Sequence, residues 1–358
     1  MLQSPIEHSS TDTVFSDYDG WSLPVHYGDV TAEYQAARSS VGISDLSHRG
    51  KLRMTGKDRQ SFLHRIVTND INGLDVGQST YACMLTPQGK IIADMTVYLR
   101  DDDILFDLEP GMTPTLIETM DRYAIIDDVA MADVTAEYGL IGVHGPGSVA
   151  LLQTLMCDFE GLEPSRHMSV DLEGVPLCIT RAYRSSGQDY DLHIPVPHVS
   201  DIWQALKKNG TESDLACIGA KTLEILRVEA GIPRYGAELD DRIIPNEAVK
   251  ERAVSFNKGC YIGQEPVVMM EHRGRPNRLL AGLKMSGAHL PEQNSILKKD
   301  DQEAGWITSA VASQMDSGVI AMGFVRRKYL KIGDHLTVDI EGAPAEAEIV
   351  ALPFYKSE

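Results

Sequence analysis

The sequence predicts a mixed α+β protein that ends in a small all-β domain. Three observations carry that expectation. Blocks with apolar residues at helical spacing alternate with blocks that alternate two by two. The stretch Thr80–Leu99 reads as two strands around the Pro/Gly turn 86–90, a hairpin. Beyond Arg278 only short strand-like runs remain, separated by Gly and Pro, as in a small barrel or sandwich. At 358 residues the chain has room for two or three domains of ordinary size.

The bulk properties narrow the classes of function. A formal net charge of −19 opposes the basic footprint that nucleic-acid binding requires. No apolar run approaches the ~18 residues of a membrane span. The opening MLQSPIEHSS lacks a basic segment followed by an apolar one, so no secretion signal is expected. Five cysteines (Cys83, Cys157, Cys178, Cys217, Cys260) are widely spaced with no CxxC pair. That pattern suits a reducing compartment, the cytoplasm by default, and neither a disulfide framework nor a structural zinc site.

In chain order, residues 1–20 carry no clear period and read as a loose lead-in. Thr31 is placed to cap a helix over Ala32–Ser39, with Gly42 just past its end. Ile43, Leu46 and the run Lys51–Met54 suggest strand, broken at Gly56. Lys57–Val67 returns to helical spacing, with Phe62, Leu63, Ile66 and Val67 on one face. His48, between them, reads as a hydrogen-bonded structural histidine. In the returning strand of the hairpin, Asp94 shares a face with Ile92 and Thr96 while Ala93 and Met95 face the other way. A carboxylate among such neighbours is costly unless paired or used, so Asp94 is either a hydrogen-bonded anchor or a site residue.

Further strands are expected at Ile104–Leu108, Gly139–Val143, Gly174–Arg181 and Tyr190–Ile194. Helices are expected over Pro114–Tyr123, from Gly147 through Met156, over His198–Asn209 and over Lys221–Ala230. The turn His144-Gly145-Pro146-Gly147 lacks both phosphate-binding spacings and reads as structural. The C-terminal strands are expected at Arg278–Lys284, Glu303–Ser309, Val319–Phe324, His335–Ile340 and Ala347–Val350.

The densest stretch is Phe256–Gly274, FNKGCYIGQEPVVMMEHRG. Gly259 and Gly263 permit a sharp turn, and Lys258 beside Cys260 favours a thiolate. A turn leading into a strand or short helix, with Cys260 as a small buried hydrophobe, is the plainer reading of the same residues. The arginines 273, 275 and 278 form either a solvated charged face or an attraction for an anionic ligand such as a polyglutamyl tail.

KGCYIGQE followed by Arg273-Gly274 resembles the signature of YgfZ-type folate-binding proteins, relatives of the glycine-cleavage T protein (aminomethyltransferase). The start of the chain is similar to the T protein as well, through "SDLSH" at 44–48 and "TNDI" at 68–71. So are "GVHGPGS", "LRVEAG…YG" and the C-terminal "GWITSA", "AMGFVR" and "LPFY". The resemblance implies a three-domain clover-like fold with a central folate pocket. Residues 1–278 would form the folate-binding region, as two interleaved α+β subdomains, and 279–358 the barrel.

It implies tetrahydrofolate as cofactor, and a small one-carbon donor or a carrier protein as partner, with no nucleic acid and no membrane. Asp94 corresponds to the second of two adjacent aspartates in the T protein, the essential acid, and YgfZ-type proteins commonly lose it. Tyr81 falls on a pocket tyrosine. Asp191 falls on the acidic end of a "GYTGE" segment that otherwise reads AYRSSGQD here, with Arg184 at a tyrosine position. Tyr235 is a pocket candidate, and Leu223 stands where the T protein has an arginine. The resemblance thus assigns Asp94 and Cys260 to chemistry, and Tyr81, Arg184, Asp191, Tyr235, Lys258, Gln264 and Glu265 to the cofactor. Two functions follow: a folate-dependent aminomethyl (one-carbon) transferase working through Asp94, or a YgfZ-type accessory factor for iron–sulfur enzymes working through Lys258–Glu265.

Overall fold

The computed structural model describes residues 2–8, 12–18, 20–172, 174–315 and 317–355. Two antiparallel sheets form the body. One has five strands in the order Ser79–Leu85, Ile91–Leu99, Ile104–Leu108, Gly50–Thr55 and Ala130–Asp133. The other has six, in the order His167–Leu172, Val175–Ala182, Asp189–Pro195, Tyr138–His144, Gly42–Asp45 and Ala216–Cys217, the last pairing parallel. The chain enters both early, since Gly42–Asp45 and Gly50–Thr55 belong to different sheets. The apolar stretch that read as one broken strand is therefore the link between the two halves.

Each sheet buries one face. Behind the five-stranded sheet Phe62, Leu63 and Ile66 of helix Arg59–Ile66, with Leu116 and Met120 of helix Met112–Asp121, pack on Ala93, Met95 and Val97. Behind the six-stranded sheet Val199, Ile202, Trp203 and Leu206 of helix Val196–Asn209 pack on Ile141, Val143 and Leu192. Burying an aliphatic or aromatic side chain of this size stabilises by about 1.5–3 kcal/mol, so the helices fix which face each sheet turns inward. From Ile91 to Thr96 the buried residues are 91, 93 and 95 and the partly exposed ones 92, 94 and 96, and 97–99 are all buried. The alternation in the sequence therefore put Asp94 on the face turned away from the core.

The C-terminal part is a closed six-stranded barrel, in the order Arg278–Met285, Val319–Arg326, Gln302–Ala312, Ile296–Lys299, His335–Ile340 and Ala343–Val350. Strand Ile296–Lys299 gives no clear signal in the sequence, being four residues with two lysines, and it joins the barrel through both neighbours. No helix among the described residues is long and apolar enough to cross a membrane.

The first helix is Val30–Ser39, capped by the carboxylate of Asp29, which accepts from the Thr31 amide at 2.9 Å. Thr31 is thus inside the helix rather than its cap. Gly42 opens a strand instead of closing that helix, and a Cβ there would come within 3.0 Å of Ile218. The lead-in is ordered as well: Leu2–Gln3, Val14–Tyr18 and Trp21–His26 form a three-stranded sheet. Those strands are short, Val14–Tyr18 is mostly exposed and Trp21–His26 fully buries only the adjacent Leu23 and Pro24, which explains the absence of an apolar period.

Candidate active site

Between the two sheets, on the side of the hairpin turned away from its core helices, lies a cavity of about 1340 Å³. Its walls come from the hairpin (Tyr81, Asp94, Thr96), the segment 181–188, the N-terminal sheet (Tyr18), helix Ala220–Glu229 (Leu223) and Tyr355 near the C-terminus. A volume above the ~300–1,000 Å³ usual for small-molecule sites leaves room for a drug-sized ligand and a second reactant.

Asp94 sits on the hairpin wall. Its Oδ2 accepts from the Tyr81 hydroxyl at 2.9 Å, and its Oδ1 is buried without a hydrogen-bond partner. Burial and then the charge of Glu109 push its carboxyl up to about 6, against the pull of the Tyr81 hydroxyl and Arg49. Tyr81 in turn is pushed well above its ordinary value by burial and the neighbouring Asp94, so it stays a donor.

A chain of alternating charges bridges the two sheets across the cavity. Arg184 reaches Asp191 at 2.6 Å and Asp107 at 2.8 Å; Asp107 also meets Arg49 at 2.7 Å, and Arg49 meets Glu109 at 2.5 Å. Burial would raise Asp107, but the charges of Arg184 and Arg49 hold it well below the usual carboxylate range. Asp191 is fully buried, and only its Oδ2 is used; Oδ1 has no partner.

The loop that presents Arg184 is tied down at its base. Asp189 accepts from the amides of Arg184 and Ser185, from the Ser185 hydroxyl and, at 2.9 Å, pairs with His144 Nδ1. His144 Nε2 then lies 2.8 Å from Ser44 Oγ. Ser44, His144 and Asp189 are all buried and none lines the cavity, so this hydroxyl–imidazole–carboxylate chain is a brace. Gly142 leaves it room, because a Cβ there would fall 2.5 Å from His144 Nε2.

Two profiles of known families match the chain. The GCVT N-terminal domain covers residues 6–258, and the glycine cleavage T-protein C-terminal barrel domain covers 278–356. This chain belongs to the glycine-cleavage T-protein family. It is similar over 355 residues, at 30% identity, to an aminomethyltransferase of Desulforamulus reducens, spanning 98% of this chain and 96% of the relative. An aminomethyltransferase of Cutibacterium acnes is 32% identical over 361 residues with the same coverage. In fold it matches the crystal structure of the glycine cleavage system aminomethyltransferase T from Bartonella henselae, with a TM-score of 0.88 at 20% identity over 96% of this chain and 95% of that one. The protein is therefore aminomethyltransferase-like over its whole length, with the T-protein fold and its six-stranded barrel.

Within this T-protein framework the cavity brings together Tyr81, Asp94, Arg184 and Asp191, four of the residues singled out from the sequence. It does not bring in Tyr235, Lys258, Cys260, Gln264 or Glu265. Tyr235 packs beside the cluster of Leu85, Ile91 and Leu239. Lys258 caps a helix: its Nζ donates to the carbonyls of His64, of Val67 at 2.7 Å and of Asn69 at 2.9 Å, where helix Arg59–Ile66 ends. Cys260 is exposed, neither a buried hydrophobe nor a part of the cavity wall. Gln264 and Glu265 begin helix Gln264–His272, Gln264 half-buried and Glu265 exposed.

What this loop touches is the tip of the hairpin. Gly263 has φ of 75°, and a Cβ there would meet the Thr86 carbonyl oxygen at 2.4 Å; Gly89 abuts Pro266. Tyr261 packs with Cys83, Leu85 and Ile91. The KGCYIGQE loop thus holds, from outside, the hairpin that bears Asp94. Of the arginines that follow, Arg278 pairs with Glu247 at 2.9 Å and none of the three lines the cavity.

Several cavity residues gave no sequence signal. His48, expected as a hydrogen-bonded structural histidine, is half-buried; its Nδ1 is buried with no hydrogen-bond partner among the described residues, and its ring meets Tyr18 edge-on at 5.3 Å. Burial, then the charge of Arg49, lowers it to about 4, so it is neutral. Arg234 and Arg252 also line the cavity, as does Tyr355, whose ring carries the Arg38 guanidinium at 4.0 Å. Each comes from a segment remote in sequence from the hairpin.

Proposed function

We propose that the protein is a tetrahydrofolate-dependent aminomethyl (one-carbon) transferase, with Asp94 acting at the reacting atoms and a small amine or a carrier protein as donor. One observation carries the reading. Asp94, Asp191, His48 and Arg234 all line one cavity, and each has a buried polar atom without a partner among the described residues. Buried polar groups are otherwise almost always hydrogen-bonded. Two carboxylate acceptors, an imidazole nitrogen and a guanidinium N–H suit a ligand rich in ring N–H and carbonyl groups, as a reduced pterin is.

When bound, tetrahydrofolate supplies the nitrogens that take the one-carbon unit. The chain's own contribution is position and field. Asp191 Oδ1 accepts from a ring N–H, while Arg184 fixes its other oxygen. Asp94, mostly ionised at neutral pH, favours a positive charge developing beside it and holds a proton at Oδ1 when one must be moved. Tyr81 fixes the rotation of that carboxylate by donating to Oδ2. Neutral His48 and the tyrosines of the wall exclude water. The accessory-factor reading has no comparable support, since its cysteine lies apart from these residues.

Titration calorimetry with tetrahydrofolate and 5-formyltetrahydrofolate tests binding. Asp94→Asn is expected to bind both within a few-fold of wild type and to lose ~100-fold or more in turnover, the scale of a positioned acid–base group. Unchanged turnover in that variant would remove Asp94 from the chemistry.

A further inference from the structure

The arginines around the cavity are nearly all spoken for. Arg38 pairs with Glu229, Arg49 with Asp107 and Glu109, Arg184 with Asp107 and Asp191, and Arg227 with Glu224 and Glu238. Arg234 lies against the Tyr18 hydroxyl and Glu224, and Arg181 donates to the Asp189 carbonyl. Arg252 differs. Its guanidinium carbon lies 3.7 Å from the Tyr183 ring centre and 4.8 Å from that of Tyr81. Among the described residues no carboxylate or carbonyl pairs with its guanidinium.

Stacking on aromatic rings fixes the plane of a guanidinium while leaving its N–H edges uncommitted. Those edges form the fork that matches a carboxylate in two parallel hydrogen bonds. The setting sharpens the point. Arg252 and Tyr183 are exposed at the rim of the cavity, and of the arginines that line it Arg252 alone has neither an acidic nor a carbonyl partner among the described residues. Tyr81 links it to the chemistry, since the ring that carries Arg252 ends in the hydroxyl that donates to Asp94.

We propose that Arg252 is the carboxylate anchor of the cavity, a specificity residue that binds an anionic end of the ligand while Asp94 works beyond Tyr81. The proposal rests on the folate-transferase reading for the identity of the ligands. Two of them carry a carboxylate, the glutamyl end of the folate and an amino-acid-type one-carbon donor.

The test compares acids with their amides on the full chain, using wild type, Arg252→Gln and Arg252→Lys. One pair is 5-formyltetrahydrofolate and its diamide, with both glutamyl carboxylates amidated. The other is N-methylglycine and N-methylglycinamide. Wild type is expected to prefer the acid of one pair by ~10- to 100-fold, the scale of a charge-assisted hydrogen-bonded pair. Arg252→Gln should erase that preference by weakening the acid alone, and Arg252→Lys should restore part of it. A preference within the folate pair assigns the anchor to the glutamyl end, and one within the amine pair assigns it to the donor.

The absence of any acid preference in wild type overturns the proposal, and that comparison needs no variant. Equal weakening of acid and amide by Arg252→Gln overturns it too, by marking the side chain as structural. If wild type binds neither folate, the cofactor reading fails, and the amine pair still decides on Arg252.

Discussion

At the scale of single residues, the pair Tyr81–Asp94 sets the pH behaviour of the site. With the carboxyl at about 6 in the folded protein, kcat/KM is expected to rise about tenfold per pH unit below 6 and to level off above it. A pH–rate profile flat between 5 and 8 would contradict the role of the ionised form. The same shift has a cost in stability. Between the ordinary aspartate value near 4 and about 6, the folded state holds a proton that the unfolded state has released, so this group's contribution to stability falls as pH rises through that window. Asp94→Asn is therefore expected to melt higher than wild type at pH 7–8 and no higher near pH 4. Hairpin alternation made Asp94 legible in the sequence. Its orphaned oxygen was not, because the lack of a partner depends on what every other segment fails to place there.

At the scale of elements, the Lys258–Glu265 loop shows how a conspicuous motif is recruited for support. Its lysine satisfies carbonyls at the end of helix Arg59–Ile66, and its second glycine lets the backbone meet the hairpin tip. Lys258→Met is expected to destabilise by about 1–3 kcal/mol, since a buried carbonyl left without a donor pays its desolvation cost; urea denaturation measures it. A midpoint equal to that of wild type would show that water replaces the ammonium at no cost. The glycines and the turn were legible, because a φ of 75° at Gly263 is a local demand on one residue. What the turn closes on was not, since Thr86 and Gly89 lie more than 170 positions earlier.

At the scale of the whole molecule, the barrel and the two-sheet body are joined by a buried polar knot. Arg227 donates to Glu238 at 2.8 Å and to Ser309 Oγ of the barrel at 2.7 Å, and Ser309 donates to Glu238 at 2.6 Å. Glu238 is 1% exposed, so Arg227→Met strands a buried carboxylate, a loss of about 3–5 kcal/mol. The expected result is a lower urea midpoint, with the barrel separating from the body before global unfolding. A single unshifted transition would show that the apolar contacts between them suffice. Helix Ala220–Glu229 carries Arg227 of this knot one turn beyond Leu223, and both line the cavity, so the helix that meets the barrel also lines the site.

The sequence by itself determined most element types outside the lead-in and strand Ile296–Lys299, the core-facing side of the hairpin, the all-β character of the C-terminal part and the family. Each is written in local period or in short motifs that need only near neighbours to be read. The tertiary structure alone decided which charges pair and which do not. It placed Arg184 between Asp191 and Asp107, set Cys260 on the exterior and left Arg252, among the described residues, without an acidic partner at the cavity rim. The reason is physical: pairing and burial are properties of the space between segments, and the residues enclosing this cavity run from Tyr18 to Tyr355.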